Sequence, residues 1–209
     1  MIRNPPLISG IFKSCTVELQ ALSERHDLSS YLDVNQLVAK SMLMSCASFY
    51  EDEITRIVRS VLDAGHHTEP VRKWLNETAV DGQFYKWFDF RNAKNTSNFL
   101  GKFGKEFKAN TRRLLDSRDK RKQAEQAFLD LCQKRNECVH RNYAAYSLDL
   151  TIQEIYNKHK MAMSYIRVID CAARKWLIVV AQPPLTGRFS RKVVRRPRRS
   201  PAREAHAAI

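Results

Sequence analysis

Two residues with complementary chemistry lie close together in the segment LCQKRNECVHRNY, residues 131–143. Arg135 precedes His140 by five positions, and Asn136 follows the arginine directly. A guanidinium can hold a phosphate through two parallel hydrogen bonds, while an imidazole can exchange a proton near neutral pH. Cleaving RNA without a metal needs a base for the 2′-hydroxyl proton and a cation for the charge that builds on the phosphate. We therefore take Arg135 and His140 as candidate catalytic residues, with Asn136 in support.

The elements that must position these residues begin with the helix that carries them. Helical periodicity predicts one long helix from about Asp116 to Val139, and its apolar stripe leads directly to Arg135. A buried arginine without a partner is costly, so Arg135 should have a partner or line a cleft. Five residues correspond to about 140° of rotation in an ideal helix. Arg135 and His140 therefore converge only if the helix loosens near Val139, or if two copies of the chain share the site.

Charged residues elsewhere could support the pair. In the second predicted helix, Glu51 or Glu53 could reach the motif helix and pair with Arg135, although a solvated turn of helix is the alternative. Basic residues near the motif or on its helix are candidates for binding RNA phosphates: Lys120, Arg121, Lys122, Lys134 and Arg141. A solvent-exposed face explains the run 118–122 equally well.

Composition and periodicity predict an all-α fold. The chain has 209 residues, and Pro70 is the only proline between Pro6 and Pro183, so the interior is nearly free of this helix breaker. We predict a helical bundle with two long antiparallel core helices and shorter flanking helices, forming one domain over residues 1–184. Helices are expected over about 7–26, from a cap at Asp33 or Asn35 to Leu62, over 71–79, near 98, over 116–139 and over 151–180. The aromatic residues of segment 84–90 are interpreted as core, and His159, between two lysines, as part of a polar face.

The charge of the chain predicts a polyanionic partner. The net charge is +14, and the residues from Arg188 onward carry eight basic side chains against one acidic side chain, half of that total. We predict that residues 185–209 form a basic, disordered tail. Nucleic acid, and RNA in particular, is a better candidate partner than an anionic membrane surface.

Several classes of protein are disfavoured. The five cysteines are an odd number without a CxxC pair, which argues against a disulfide framework and a zinc site. We expect no metal and no cofactor. The longest purely apolar run near the end, residues 176–181, is far too short to span a membrane, and the start of the chain does not resemble a signal peptide. A cytoplasmic protein without membrane contact is therefore expected.

The motif Arg135-Asn136-x3-His140, near the end of a long helix in a basic all-helical domain, resembles the HEPN superfamily. The segment NAKNTSNFLGKFG, residues 92–104, is similar to the RiboL-PSP type of HEPN domain. The resemblance implies a bundle that dimerises through the motif helix, with a composite cleft that cuts RNA without metal and leaves a 2′,3′-cyclic phosphate. It also implies that Arg135 binds the scissile phosphate, that His140 acts as acid and base, and that Asn136 supports them.

The resemblance further implies a toxin or an antiviral, abortive-infection effector, with an antitoxin or regulatory protein as a partner. HEPN toxins paired with a nucleotidyltransferase often carry a tyrosine two positions after the histidine. Asn142 occupies that position here and Tyr143 comes one residue later, so the resemblance does not extend to that form of control. Two alternatives stay open. One is a non-catalytic HEPN-like module that binds RNA, nucleotide or a partner protein, and the other is a basic helical nucleic-acid-binding protein with a coincidental motif.

Overall fold

The computed structural model describes residues 6–25, 28–65 and 67–181, which form helices and connecting turns without a β-strand. The predicted all-α fold is confirmed. The helices are α1 (Pro6–Glu24), α2 (Leu28–Asp63), α3 (Glu69–Leu75) with a π-helical turn at Asn76–Val80, α4 (Phe84–Phe88), α5 (Ser97–Gly101), α6 (Lys105–Asp116), α7 (Asp119–His140) and α8 (Ile152–Ala181). The predicted tail, residues 185–209, lies outside the described residues.

Local signals explain where the motif helix and its neighbours begin. At the start of α8, Thr151 Oγ1 accepts the N–H of Glu154 at 3.2 Å, and Glu154 Oε2 accepts the N–H of Thr151 at 2.8 Å. This reciprocal capping box satisfies two amide groups that the helix leaves unpaired. Before α7, Arg118 adopts an extended conformation with φ −147° and ψ 132°. The motif helix therefore begins at Asp119, whereas the sequence analysis predicted a start near Asp116, which is the last residue of α6.

Three long helices form the centre of the bundle. These are α2 with 36 residues, α7 with 22 and α8 with 30. Lys158 of α8 bonds Asp130 of α7 at 2.7 Å, and Tyr165 packs on Phe128, so these two helices are antiparallel as predicted. The helix α2 packs against both as a third long helix, and it begins before the cap predicted at Asp33 or Asn35.

Aromatic side chains from α4 and α5 fill the space beside α7. Phe84, Phe88 and Phe99 are each about 1% exposed, and Phe88 stacks on Phe99 with 4.4 Å between ring centroids. Phe128 of α7 meets Phe88 edge to face at 5.2 Å. These rings are core, as predicted, and they anchor the short helix α4 against the motif helix.

A buried carboxylate joins the asparagine-rich segment to the bundle. Glu125 of α7 is 4% exposed and accepts bonds from the N–H and the hydroxyl of Thr96, at 2.7 and 2.6 Å. Arg112 of α6 donates to both of its oxygens, at 2.8 and 2.7 Å, and these bonds raise the pKa of the guanidinium. The bidentate geometry offsets the cost of burying the charges, which ties α5, α6 and α7 together.

The prediction for His159 is wrong. Its side chain is fully buried, and its Nδ1 lies 2.9 Å from the hydroxyl of Tyr50 on α2, with the two rings stacked. Burial lowers the pKa of the imidazole to about 4. Adjacent residues differ by about 100° around a helix, so Lys158 and Lys160 reach solvent while His159 faces α2.

Candidate functional site

The motif arginine is held by an aromatic ring. Arg135 lies half-buried on α7, and its Cζ sits over the ring of Tyr85 from α4, 4.2 Å from the centroid. Its Nη1 donates to Oδ1 of Asn136 at 3.3 Å. The partner that the buried stripe required is therefore the face of a ring together with a neighbouring amide.

The acidic residue Glu51 lies near this arginine without pairing with it. The ion pairs of the described residues do not include one between Glu51 and Arg135. Both charges nevertheless act on the Tyr85 hydroxyl: burial raises its pKa, the positive charge of Arg135 lowers it and the negative charge of Glu51 raises it. Burial also raises the pKa of the Cys132 thiol. The same two charges act on this pKa, which Arg135 lowers and Glu51 raises. Glu51 therefore belongs to the electrostatic environment of Arg135.

Glu53 belongs to a different cluster. Its Oε2 accepts bonds from Arg56 at 3.1 and 2.8 Å, and Arg56 also reaches Asp170 of α8 at 3.2 Å. The pairing with Arg135 considered for Glu53 is therefore replaced by a pairing one turn along its own helix. Glu53 helps to join α2 to α8 at a distance from the motif.

His140 is the last residue of α7 and is exposed. The helix stays regular through this residue, so it does not loosen near Val139. Arg135 and His140 are consequently about 140° apart around the helix and about 7.5 Å apart along its axis. One copy of the chain presents these side chains on different sides of α7.

A buried lysine stabilises the turn that follows His140 through hydrogen bonds. Lys40 of α2 is 7% exposed, and its Nζ donates to the carbonyl oxygens of Tyr143 at 2.9 Å and Ala144 at 3.4 Å. Asn142 adopts a left-handed conformation with φ 61°, which asparagine tolerates better than most residues. Sequence reasoning missed Lys40. The available signal was a lone lysine between Ala39 and Met42, on the apolar side of α2.

Further side chains fix the rest of this connection. Gln36 of α2 bonds both the N–H and the carbonyl of Leu148, each at 3.1 Å. Tyr146 donates its hydroxyl to Glu137 of α7 at 3.1 Å. Lys134, a candidate for RNA binding, pairs with Asp149 at 2.8 Å, and this bond raises its pKa. The charge of Lys134 is thus partly neutralised by Asp149, which leaves less of it for an RNA phosphate.

The other basic candidates fall into two places. Arg141 is exposed directly beside His140. The run from Lys120 to Lys122 lies near the opposite end of α7, about 20 Å along the axis from Arg135. There Arg121 donates to the carbonyl of Leu114 at 2.9 Å and so caps α6, while Lys122 pairs with Asp119 at 3.4 Å. The structure does not bring this run to the motif.

Within residues 6–25, 28–65 and 67–181, no group of three or more His, Cys, Asp and Glu side chains could hold a metal ion. No helix in these ranges is both long and apolar enough to cross a membrane.

A comparison with protein-family models matches residues 12–174 to the family described as RiboL-PSP-HEPN. The match covers most of the chain, from α1 into α8. The chain belongs to the RiboL-PSP-HEPN family. HEPN domains are often ribonucleases, so membership supports a nuclease-like or RNA-related role. The Arg135–His140 segment lies inside the HEPN match. Comparisons with curated proteins and with solved structures give no match.

Proposed function

We propose that the protein is a metal-independent endoribonuclease whose active site is shared between two copies of the chain. The arrangement of the motif carries the proposal. Arg135 is held in place by Tyr85 and Asn136, whereas His140 is exposed on another side of the same regular helix. A two-fold axis beside α7 would bring the motif of a second copy to the first, so that each imidazole could work with a guanidinium.

The surface beside His140 supports this assembly. Val139 is 40% exposed and Tyr143 37% exposed, so an apolar patch flanks the motif histidine. Apolar side chains at such a position would be buried by a second copy. The hydrogen bonds from Lys40 to the turn after α7 would keep this patch in a constant shape.

The chemistry follows from the two residue types. His140 would take the 2′-hydroxyl proton, and the alkoxide would attack the adjacent phosphorus while the 5′-oxygen leaves. A protonated His140 of the second copy would give a proton to that leaving oxygen. Arg135 would hold the non-bridging oxygens as negative charge develops. The products would end in a 2′,3′-cyclic phosphate and a 5′-hydroxyl.

We place this activity in a cytoplasmic toxin or antiviral, abortive-infection effector that an antitoxin or regulatory protein controls. Uncontrolled cleavage of cellular RNA would harm the host, so expression offers a simple indication. A clone of the wild-type gene that grows poorly, with growth restored by His140→Ala, would agree with this setting.

The deciding experiment incubates the purified protein with total RNA, with and without EDTA, and maps the new ends. Cleavage should survive chelation and leave cyclic phosphates. A deoxyribose at the cut position should abolish cleavage, because the nucleophile would be missing. Full activity on that substrate, or dependence on added magnesium, would overturn the assignment.

The second candidate is a non-catalytic module that binds RNA. It would apply to a chain that stays monomeric, since Arg135 and His140 diverge within one copy and a monomer would hold no assembled site. Binding of RNA without cleavage, unchanged in a His140→Ala variant, would support this alternative.

A further inference from the structure

We infer that Tyr85 is a positioning residue for Arg135, which holds the guanidinium in the plane in which it meets the scissile phosphate. The inference rests on the proposed ribonuclease function. Arg135 Cζ lies 4.2 Å from the centroid of the Tyr85 ring. At this distance the negative face of the ring attracts the cation and also restricts the rotation of a long, flexible side chain.

A ring suits this task better than a carboxylate would. A carboxylate would pair with the N–H groups at the edge of the guanidinium and would compete there with the phosphate. Tyr85 instead occupies one face of the guanidinium. At the edge of the guanidinium, Nη1 of Arg135 donates one bond to Asn136 at 3.3 Å. Other N–H donors among the five of the guanidinium stay available to a substrate. Arg135 is therefore oriented without being neutralised.

Tyr85 is itself held in a fixed position. Its ring meets Phe84 edge to face at 5.0 Å and Phe90 at 5.8 Å, and both neighbours are buried in the aromatic core. The orientation of Arg135 is thus coupled to the packing of α4 on α7. The hydroxyl of Tyr85 is buried near Glu51, which raises its pKa, whereas the contact with Arg135 is made by the face of the ring. We therefore expect the ring, and not the hydroxyl, to carry the positioning role.

The first test compares ring-keeping and ring-removing variants on an RNA oligonucleotide that spans a cleavage site mapped in total RNA. Tyr85→Phe should keep the wild-type kcat. Tyr85→Leu and Tyr85→Met should lower kcat by about tenfold, the scale of one cation–π contact, with a smaller change in KM. In an Arg135→Ala background, Tyr85→Leu should cause no further loss, because the two residues act as a unit.

Tyr156→Leu is a matched control, since Tyr156 also has a cation–π contact, with Lys160 at 5.0 Å, and packs on Phe12. It should reduce stability without changing kcat. A wild-type kcat in Tyr85→Leu, or additive losses with Arg135→Ala, would overturn the inference while the ribonuclease stands. Absence of cleavage by the wild-type protein would instead remove the proposed function.

A second measurement does not depend on the folding of a variant. In the NMR spectrum of the wild-type protein, the ring current of Tyr85 should shift the Nε–H proton of Arg135 upfield. The resonance is assigned by its loss in Arg135→Lys. An Arg135 proton at the position of a solvated arginine would rule out the stacked arrangement in solution.

Discussion

At the residue scale, Arg135 and His140 divide the proposed chemistry, and each can be removed by itself. Arg135→Ala and His140→Ala should each lower the cleavage rate by about a hundredfold or more, the usual scale for a lost general base or a preorganised charge. Asn136→Ala should have a milder effect, because its amide contacts only the edge of Arg135. The rates are measured on an RNA oligonucleotide with a mapped cut site.

The matched control is Arg113→Ala, which removes an exposed arginine of α6. It should leave the rate unchanged. The melting temperatures of the three motif variants should stay near that of the wild type, since none of these side chains is fully buried. Wild-type rates in both Arg135→Ala and His140→Ala would show that the motif has no catalytic role.

His159 predicts a dependence of stability on pH. Burial lowers its pKa from the ordinary 6.5 to about 4, so below pH 6.5 the unfolded chain binds a proton that the folded chain does not. The free energy of unfolding should therefore fall as the pH drops from 6.5 towards 4, by roughly 2–3 kcal/mol from this group. Denaturation curves at several pH values measure it. In His159→Gln this part of the slope should vanish, and an unchanged slope would contradict the assignment.

At the element scale, the turn after α7 depends on α2. Lys40→Met keeps the length of the side chain but removes the bonds to the carbonyls of Tyr143 and Ala144. Leaving these groups without a partner should destabilise the fold by about 1–3 kcal/mol. Amide hydrogen exchange should accelerate at Ala145 and Tyr146, whose N–H groups bond to Asn142 within this turn.

Lys40→Arg, which keeps a donor, should restore part of the protection. Lys13→Met on the exposed side of α1 is the control and should change neither exchange nor stability. Unchanged exchange in Lys40→Met would show that the turn holds itself.

At the scale of the whole molecule, the proposed composite site requires a dimer. Light scattering at micromolar concentration should give twice the mass of the chain, 24.3 kDa. Val139→Asp should place a charge in the interface beside His140, and it should yield a folded monomer without cleavage. Val17→Asp, at a residue that is 64% exposed on α1, should stay dimeric and active. A wild-type monomer that cleaves RNA would contradict the shared site.

The basic residues at the end of the chain should increase the affinity for RNA. Deletion after Gly187 removes eight basic residues and one acid, half of the net charge of +14. The truncated protein should fold and cut RNA, but it should bind RNA more weakly and with a flatter dependence on salt, because fewer counterions are released. Filter binding at several salt concentrations measures this slope. A truncated protein that fails to fold would contradict the prediction.

Local patterns were enough to predict much of this molecule. Apolar periodicity predicted α8, and the aromatic run of segment 84–90 predicted core packing. The side of α7 that carries Arg135 also followed from period, because a helix has fixed rotation per residue. These features depend on neighbours within a few positions.

Tertiary packing supplied what these patterns lacked. Period indicates which side of a helix is apolar, but it does not specify which distant element will cover that side. Tyr85 covers Arg135 because α4 is packed onto α7 by the buried phenylalanines, and Lys40 reaches the turn after His140 because α2 lies beside it. His159 is buried for the same reason, since α2 packs on the side of α8 that two lysines had made look polar. Contacts between segments distant in the chain established all three environments.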